Sequence, residues 1–158
     1  MTEEVLKEDY PQDSIAAWFA EIEESLRILT DIVRKELTFI ERRTVIGLMT
    51  QDVHYRDIID KFKDTQATVD DFLWQQQLRY YYTVEDKDVV IRQLNSILDY
   101  GYEYLGATTR LVITPLTDRC WMTITSALNI RLGAAPAGPA GTGKTASIKD
   151  LAKGLGRF

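Results

Sequence analysis

Apolar residues recur near the start of the chain at alternating spacings of four and three: Ile15, Phe19, Ile22, Leu26, Leu29 and Val33. That spacing lines one face of a helix and predicts a long amphipathic element opening around Pro11 and Asp13-Ser14. The opposite positions, Glu21, Glu23, Glu24, Arg27, Asp31 and Arg34, form a solvated charged face. A second helical pattern runs from about Glu41 to Phe62, with Val45, Leu48, Met49, Ile58, Ile59 and Phe62 apolar and a more polar middle. A third begins near Thr68, where Thr68-Val69-Asp70-Asp71 has the form of a weak capping box, and carries Phe72, Leu73, Trp74 and Leu78.

From residue 80 the pattern changes. Tyr80-Tyr81-Tyr82 suits a strand better than a helix interior, and Val89-Val90-Ile91, Ile97-Leu98 and Leu111-Val112-Ile113 predict further short strands. Tyr100 to Gly106 is bracketed by glycines and predicts a packed loop. Thr114-Pro115 ends the last strand, because a residue before proline disfavours the α region. Thr117 and Asp118 then cap a helix with Cys120, Ile124, Ala127, Leu128 and Leu132 on its apolar face and Gly133 as its stop. The fold class expected is mainly α with a few short strands, followed by an incomplete α/β module, with a boundary at about residue 105. There is no internal repeat.

Composition narrows the chemistry. The 158 residues are 45% apolar and 27% charged, enough to bury a core and unlike a disordered chain. No apolar run approaches the roughly 18 residues of a membrane span, and Met1 to Tyr10 is polar and acidic rather than signal-like. A single cysteine, Cys120, excludes a disulfide framework and a cysteine-based zinc site; a single histidine, His54, excludes a histidine cluster. Cys120 is expected as a small buried residue, His54 at the surface or boundary, and Trp18, Phe19, Trp74 and the tyrosines mostly in the core. Net charge is −5, spread as −7 over residues 1–60, −2 over 61–100 and +4 over 101–158. With no extended basic face in the acidic majority, neither nucleic acid nor membrane is expected as a partner.

The basic end holds the one motif with chemistry. Gly138-Pro139-Ala140-Gly141-Thr142-Gly143-Lys144-Thr145 fits G-x-x-x-x-G-K-[ST] at every specified position, the pattern of a P-loop. Glycines let backbone N–H groups turn inward around phosphate oxygens, and the following helix points its positive end at the same anions. Lys144 supplies charge to the β- and γ-phosphates of ATP, and the Thr145 hydroxyl is a ligand for the bridging Mg²⁺. Gly133 to Ala137 before the motif reads as a weak strand. Thr145 to Leu155 after it reads as a helix with Ile148, Leu151, Ala152 and Leu155 on one face. Phosphoryl transfer also needs a strand-end aspartate, a group that orients water and an arginine. None follows in the 13 residues after Thr145. The expectation is a piece of a larger nucleotide-binding protein, with no catalytic residue of its own and negligible hydrolysis alone.

Leu111-Val112-Ile113-Thr114-Pro115-Leu116-Thr117-Asp118-Arg119-Cys120 and Ala135 to Thr145 resemble a dynein heavy chain. Tyr100 to Gly106 matches as well, and Gln77 to Tyr81 and Ile40 to Arg43 more loosely. The resemblance implies that residues 1–105 are the C-terminal helical part of the linker, and that residues 106–158 open the first AAA+ ATPase module. It implies that Gly138, Pro139, Ala140, Gly141, Thr142, Gly143, Lys144 and Thr145 hold ATP and Mg²⁺, with Leu111, Val112, Ile113, Thr114, Pro115 and Leu116 near the adenine. Through the parent protein it implies a minus-end microtubule motor, with microtubules, intermediate and light chains and the rest of the AAA+ ring as partners. Ala135-Pro136-Ala137 and Ile113 resemble axonemal chains, implying the cytoskeleton of the cilium or flagellum. The sequence departs from the family at Gly133-Ala134 (usually two glycines), Trp121 (usually Tyr) and Ala146-Ser147 (usually Glu-Thr). Two other readings are a non-catalytic helical binding module with a vestigial P-loop, and an unrelated small P-loop kinase or NTPase; the missing second strand and carboxylate oppose the latter.

Overall fold

A computed structural model describes Leu6, residues 11–63, residue 65 and residues 68–158. Among the described residues about half are helical, and there is one small antiparallel sheet. Packing gathers the chain into two compact units, residues 1–74 with 107–112, and residues 75–106 with 113–158.

The first unit is a helical hairpin. Helix α1 (Pro11–Val33) and helix α2 (Phe39–Lys63) confirm the two long patterns. Ile15 and Ile22 from α1 meet Ile59 and Phe62 from α2 in a core that also buries Leu6 and Trp74, with Trp18, Phe19, Leu26, Ile58, Val69 and Leu73 packed around it. The apolar half of α2 at Ile46 and Leu48 is exposed instead, because only its later turns face that core. The turn between the helices is closed by polar groups. Thr38 and Glu41 form a capping box: the Thr38 N–H and hydroxyl donate to the Glu41 carboxylate at 2.8 and 2.7 Å, and the Glu41 N–H donates back to Thr38 Oγ1 at 3.3 Å. The hydroxyl first, then the N–H, hold the Glu41 carboxyl below its ordinary pKa. Arg42 donates to the Val33 and Lys35 carbonyls, occupying acceptors that the end of α1 leaves open.

The third helical pattern is a correction. Helix α3 spans only Phe72–Gln75. The Thr68 N–H does donate to Asp71 Oδ2 at 2.6 Å, but it closes a turn ahead of a single helical turn, and Leu78 lies outside it.

The second unit carries the sheet. Strands β1 (Arg79–Thr83), β2 (Asp88–Gln93) and β3 (Ser96–Asp99) pair antiparallel in sequence order, with Tyr81 opposite Val90 and Ile91 opposite Leu98. The three short strands expected here form. Those expected at Leu111–Ile113 and Gly133–Ala137 do not: both segments are irregular. Helix α4 (Pro115–Asn129) and helix α5 (Lys144–Gly154) complete the unit. Ile91, Trp121, Ile124, Leu151 and Leu155 form its core, with Leu78, Leu98, Tyr100, Ile113 and Cys120 packed against it. Cys120 packs against this core from α4 as a small apolar residue, but it is half-buried rather than buried. Five of the described tyrosines are not in the core as expected: Tyr55, Tyr80, Tyr82, Tyr102 and Tyr104 are exposed. His54 is half-buried beside Tyr55.

Candidate functional site

Helix α4 starts three residues earlier than expected. Its N-cap is Thr114, with extended backbone and a hydroxyl that accepts from the Thr117 N–H at 3.3 Å, and Pro115 occupies the first helical position. There proline costs nothing, since its missing N–H would have had no acceptor and its fixed φ already suits the helix. At the other end the stop is not Gly133. Arg131 takes φ 60°, and Leu132 N–H donates to the Ala127 carbonyl at 2.8 Å, the closure glycine usually supplies.

Between the helices, residues 130–143 form no regular element except turns, and Gly138 to Gly143 are exposed. Gly141 and Gly143 have φ of 80° and 79°, a region an L side chain enters only at a cost of roughly 1–2 kcal/mol. Gly143 caps α5 with backbone alone; no side chain closes that end. The N–H groups of Lys144, Thr145 and Ala146 therefore lie in a first helical turn that supplies no acceptors for them. The loop folds around the lysine. Lys144 Nζ donates to the Gly138 carbonyl at 2.7 Å, to the Pro139 carbonyl, and to Thr142 Oγ1 at 3.3 Å, while Thr142 Oγ1 donates to Pro139 at 2.9 Å. A cation thus sits inside the loop beside an uncapped, positively polarised helix end. That is the electrostatic setting for an anion. Thr145 is exposed at the second position of the helix. Among the described residues no cluster of three or more His, Cys, Asp or Glu forms a metal site.

The rest of α5 is anchored at both ends. Near its start the buried Trp121 of α4 donates its indole N–H to the Ser147 carbonyl at 3.1 Å. At its finish Gly156 (φ 64°) closes a Schellman motif: its own N–H donates to Lys153 and that of Arg157 to Ala152. Tyr80 donates to the Gly154 carbonyl at 2.8 Å, and the N–H groups of Gly101 and Glu103 donate to Leu155 and Gly156 at 2.8 and 2.9 Å. The glycine-bracketed segment after β3 is therefore a dock for the end of α5. Leu151 and Leu155 are buried as the sequence implied, whereas Ile148 is 40% exposed.

Residues 100–158 match the family described as the hydrolytic ATP-binding site of the dynein motor region. The mouse dynein axonemal heavy chain 2 is 49% identical over 130 residues, 82% of this chain. The chain belongs to the dynein heavy-chain family. The Chlamydomonas reinhardtii dynein-1-beta heavy chain of the flagellar inner arm I1 complex is 48% identical over 134 residues, and human dynein axonemal heavy chain 6 is 51% identical over 133. The chain spans about 3% of the length of these curated relatives. The dynein ATP-binding region starts at Tyr100, so it takes in the dock, α4, the glycine-rich loop and α5, and leaves the sheet before it.

The dynein resemblance placed six residues near the adenine, and they divide between the packing units. Leu111 and Val112 belong to the first, with Val112 72% exposed. Ile113 packs into the core of the second, Thr114 and Pro115 open α4, and Leu116 is 75% exposed. Sequence reading missed Trp121 and Tyr80 as anchors of α5. Nothing local marks either, since their partners lie 26 and 74 residues away. The Thr114 cap did leave a signal, threonine followed by proline, which the strand expectation at Leu111–Ile113 obscured.

Proposed function

We propose that Gly138 to Thr145 hold the phosphates of ATP, in a segment that couples nucleotide to motion in a dynein motor. The observation that carries this reading is Lys144 Nζ, which lies within the loop against its carbonyls beside an uncapped helix end. In the bound form the ammonium exchanges the Gly138 and Pro139 carbonyls for β- and γ-phosphate oxygens. The N–H groups from Gly141 to Thr145 complete the cradle, and Gly141 and Gly143 allow the backbone to turn them inward. The Thr145 hydroxyl would be the protein ligand to a Mg²⁺ that neutralises phosphate charge. The dynein resemblance would put the adenine near Leu111 to Leu116.

The wider reading follows the relatives. Residues 1–105 are the end of the linker and residues 106–158 the opening of the first AAA+ module. The whole protein is a minus-end microtubule motor of the axoneme, assembled with intermediate and light chains. The axonemal names of the relatives support the location, and the match from residue 100 onward supports the ATP site.

Isothermal titration of the chain with Mg·ATP tests the site. Wild type binds with one-to-one stoichiometry, and Lys144→Ala loses the interaction with a charge-assisted partner, weakening binding at least tenfold. Equal affinity in the variant would sink the assignment.

A further inference from the structure

Trp121 lies on a different helix from the glycine-rich loop, yet it reaches the loop through three bonds. Its ring is 3% exposed in the core of the second unit, and its indole N–H donates to the Ser147 carbonyl at 3.1 Å. Ser147 stands one residue beyond the three open N–H groups at the start of α5. It returns to the loop twice: its N–H donates to the Gly143 carbonyl at 2.9 Å, and its hydroxyl to the same carbonyl at 3.0 Å. Gly143 is the left-handed residue that turns the chain from loop into helix. The line from Trp121 through Ser147 to Gly143 therefore fixes where the first turn of α5, and with it Lys144, sits on α4. On its inner side α4 is itself immobilised, because the buried Thr125 hydroxyl donates to Gln93 Oε1 at 2.7 Å and Gln93 Nε2 donates to the Gln76 carbonyl at 2.8 Å. A buried indole N–H needs an acceptor, and here it is given a helix carbonyl in the turn nearest the loop.

We infer that Trp121 is a positioning residue for the nucleotide site: its indole N–H, acting through Ser147 and Gly143, sets the loop geometry that receives phosphate. This rests on the nucleotide reading above. Phenylalanine at this position keeps most of the apolar bulk and removes the N–H, which separates the bond from the packing.

The test uses the full 158-residue chain labelled with ¹⁵N-tryptophan and MgADP as the probe. Three indole signals arise from Trp18, Trp74 and Trp121, and Trp121→Phe identifies the third by its loss. MgADP should shift the Trp121 signal. Trp121→Phe should bind MgADP about fivefold more weakly, the fold-change that one hydrogen bond of ordinary net strength carries. Ile124→Val, in the same core but without a bond to α5, should bind within twofold of wild type even where it lowers the melting temperature as much. An unmoved Trp121 signal at saturating MgADP, or equal affinities in the two variants, would overturn the inference and leave the nucleotide site standing. No binding by the wild-type chain would overturn both. Should Trp121→Phe fail to fold, selective loss of one indole signal in each of Trp18→Phe and Trp74→Phe assigns the third by elimination, and the wild-type titration decides.

Discussion

Replacing Gly156 by alanine tests how the end of α5 is held. Two costs arise at this one atom. Gly156 has φ 64°, and an added Cβ would stand 2.5, 2.6 and 2.9 Å from three carbons of the Tyr100 ring. The left-handed backbone costs a non-glycine residue roughly 1–2 kcal/mol. The overlap cannot be relieved cheaply, because Tyr100 is packed edge-on against Tyr80 and Tyr102, with ring centroids 6.4 and 4.9 Å away; overpacking of this kind costs roughly 1–3 kcal/mol. The sum is about 2–5 kcal/mol, a large share of the roughly 5–15 kcal/mol that holds a domain together. In a chain of this size it lowers the melting temperature by about 5–15 °C. Urea unfolding followed by tryptophan fluorescence measures it. Gly133→Ala is the control: nothing lies within 4 Å of its Cβ and its φ is not positive, so it should change stability by no more than about 1 kcal/mol. In a Tyr100→Ala background the clash is gone and Gly156→Ala should cost only the backbone share, about 1–2 kcal/mol. A Gly156→Ala chain as stable as Gly133→Ala, or a cost unchanged by removing Tyr100, would refute the reasoning.

Thr125→Val removes the donor to Gln93 Oε1 inside the second core; stability should fall by about 1–3 kcal/mol in urea titration, because the amide oxygen is left buried without it. Arg131→Gly relieves an exposed residue held at φ 60° and should raise stability by roughly 0.5–1 kcal/mol. The Glu41 carboxyl is held below its ordinary pKa by the Thr38 hydroxyl and N–H, so its box contributes fully above the unfolded-state pKa and is lost as pH falls through the lowered folded value. The acid limb of helicity followed by circular dichroism should therefore be shallower in Glu41→Gln than in wild type.

The elements legible in the sequence are those whose signal is local. The period of Ile15, Phe19, Ile22 and Leu26 needs only one buried face to become α1, and the hairpin from Tyr80 to Leu98 pairs neighbours along the chain. The glycine-rich loop and α5 were legible because the motif and the helix after it are contiguous. What failed depended on a distant partner or on its absence. Leu111-Val112-Ile113 has strand composition, but β propensity yields a strand only where a ladder exists to join. Pro115 reads equally as the end of one element and the first residue of the next, and the Thr114 hydroxyl decides for the second. The end of α4 falls at an arginine in a glycine conformation, which no composition rule anticipates. The anchoring of α5 by Trp121, Tyr80 and Tyr100 joins residues 26 to 74 positions apart, beyond any periodicity.

We propose above that Gly138 to Thr145 receive the phosphates of ATP. Amide chemical-shift mapping of the ¹⁵N-labelled chain with MgADP tests it most directly, because it reads the loop N–H groups themselves. The largest shifts should fall on Gly141 to Ala146, with downfield movement at the amides of the first turn of α5, and Lys144→Ala should abolish them. Shifts centred elsewhere, with Gly141 to Ala146 unmoved at saturation, would contradict it.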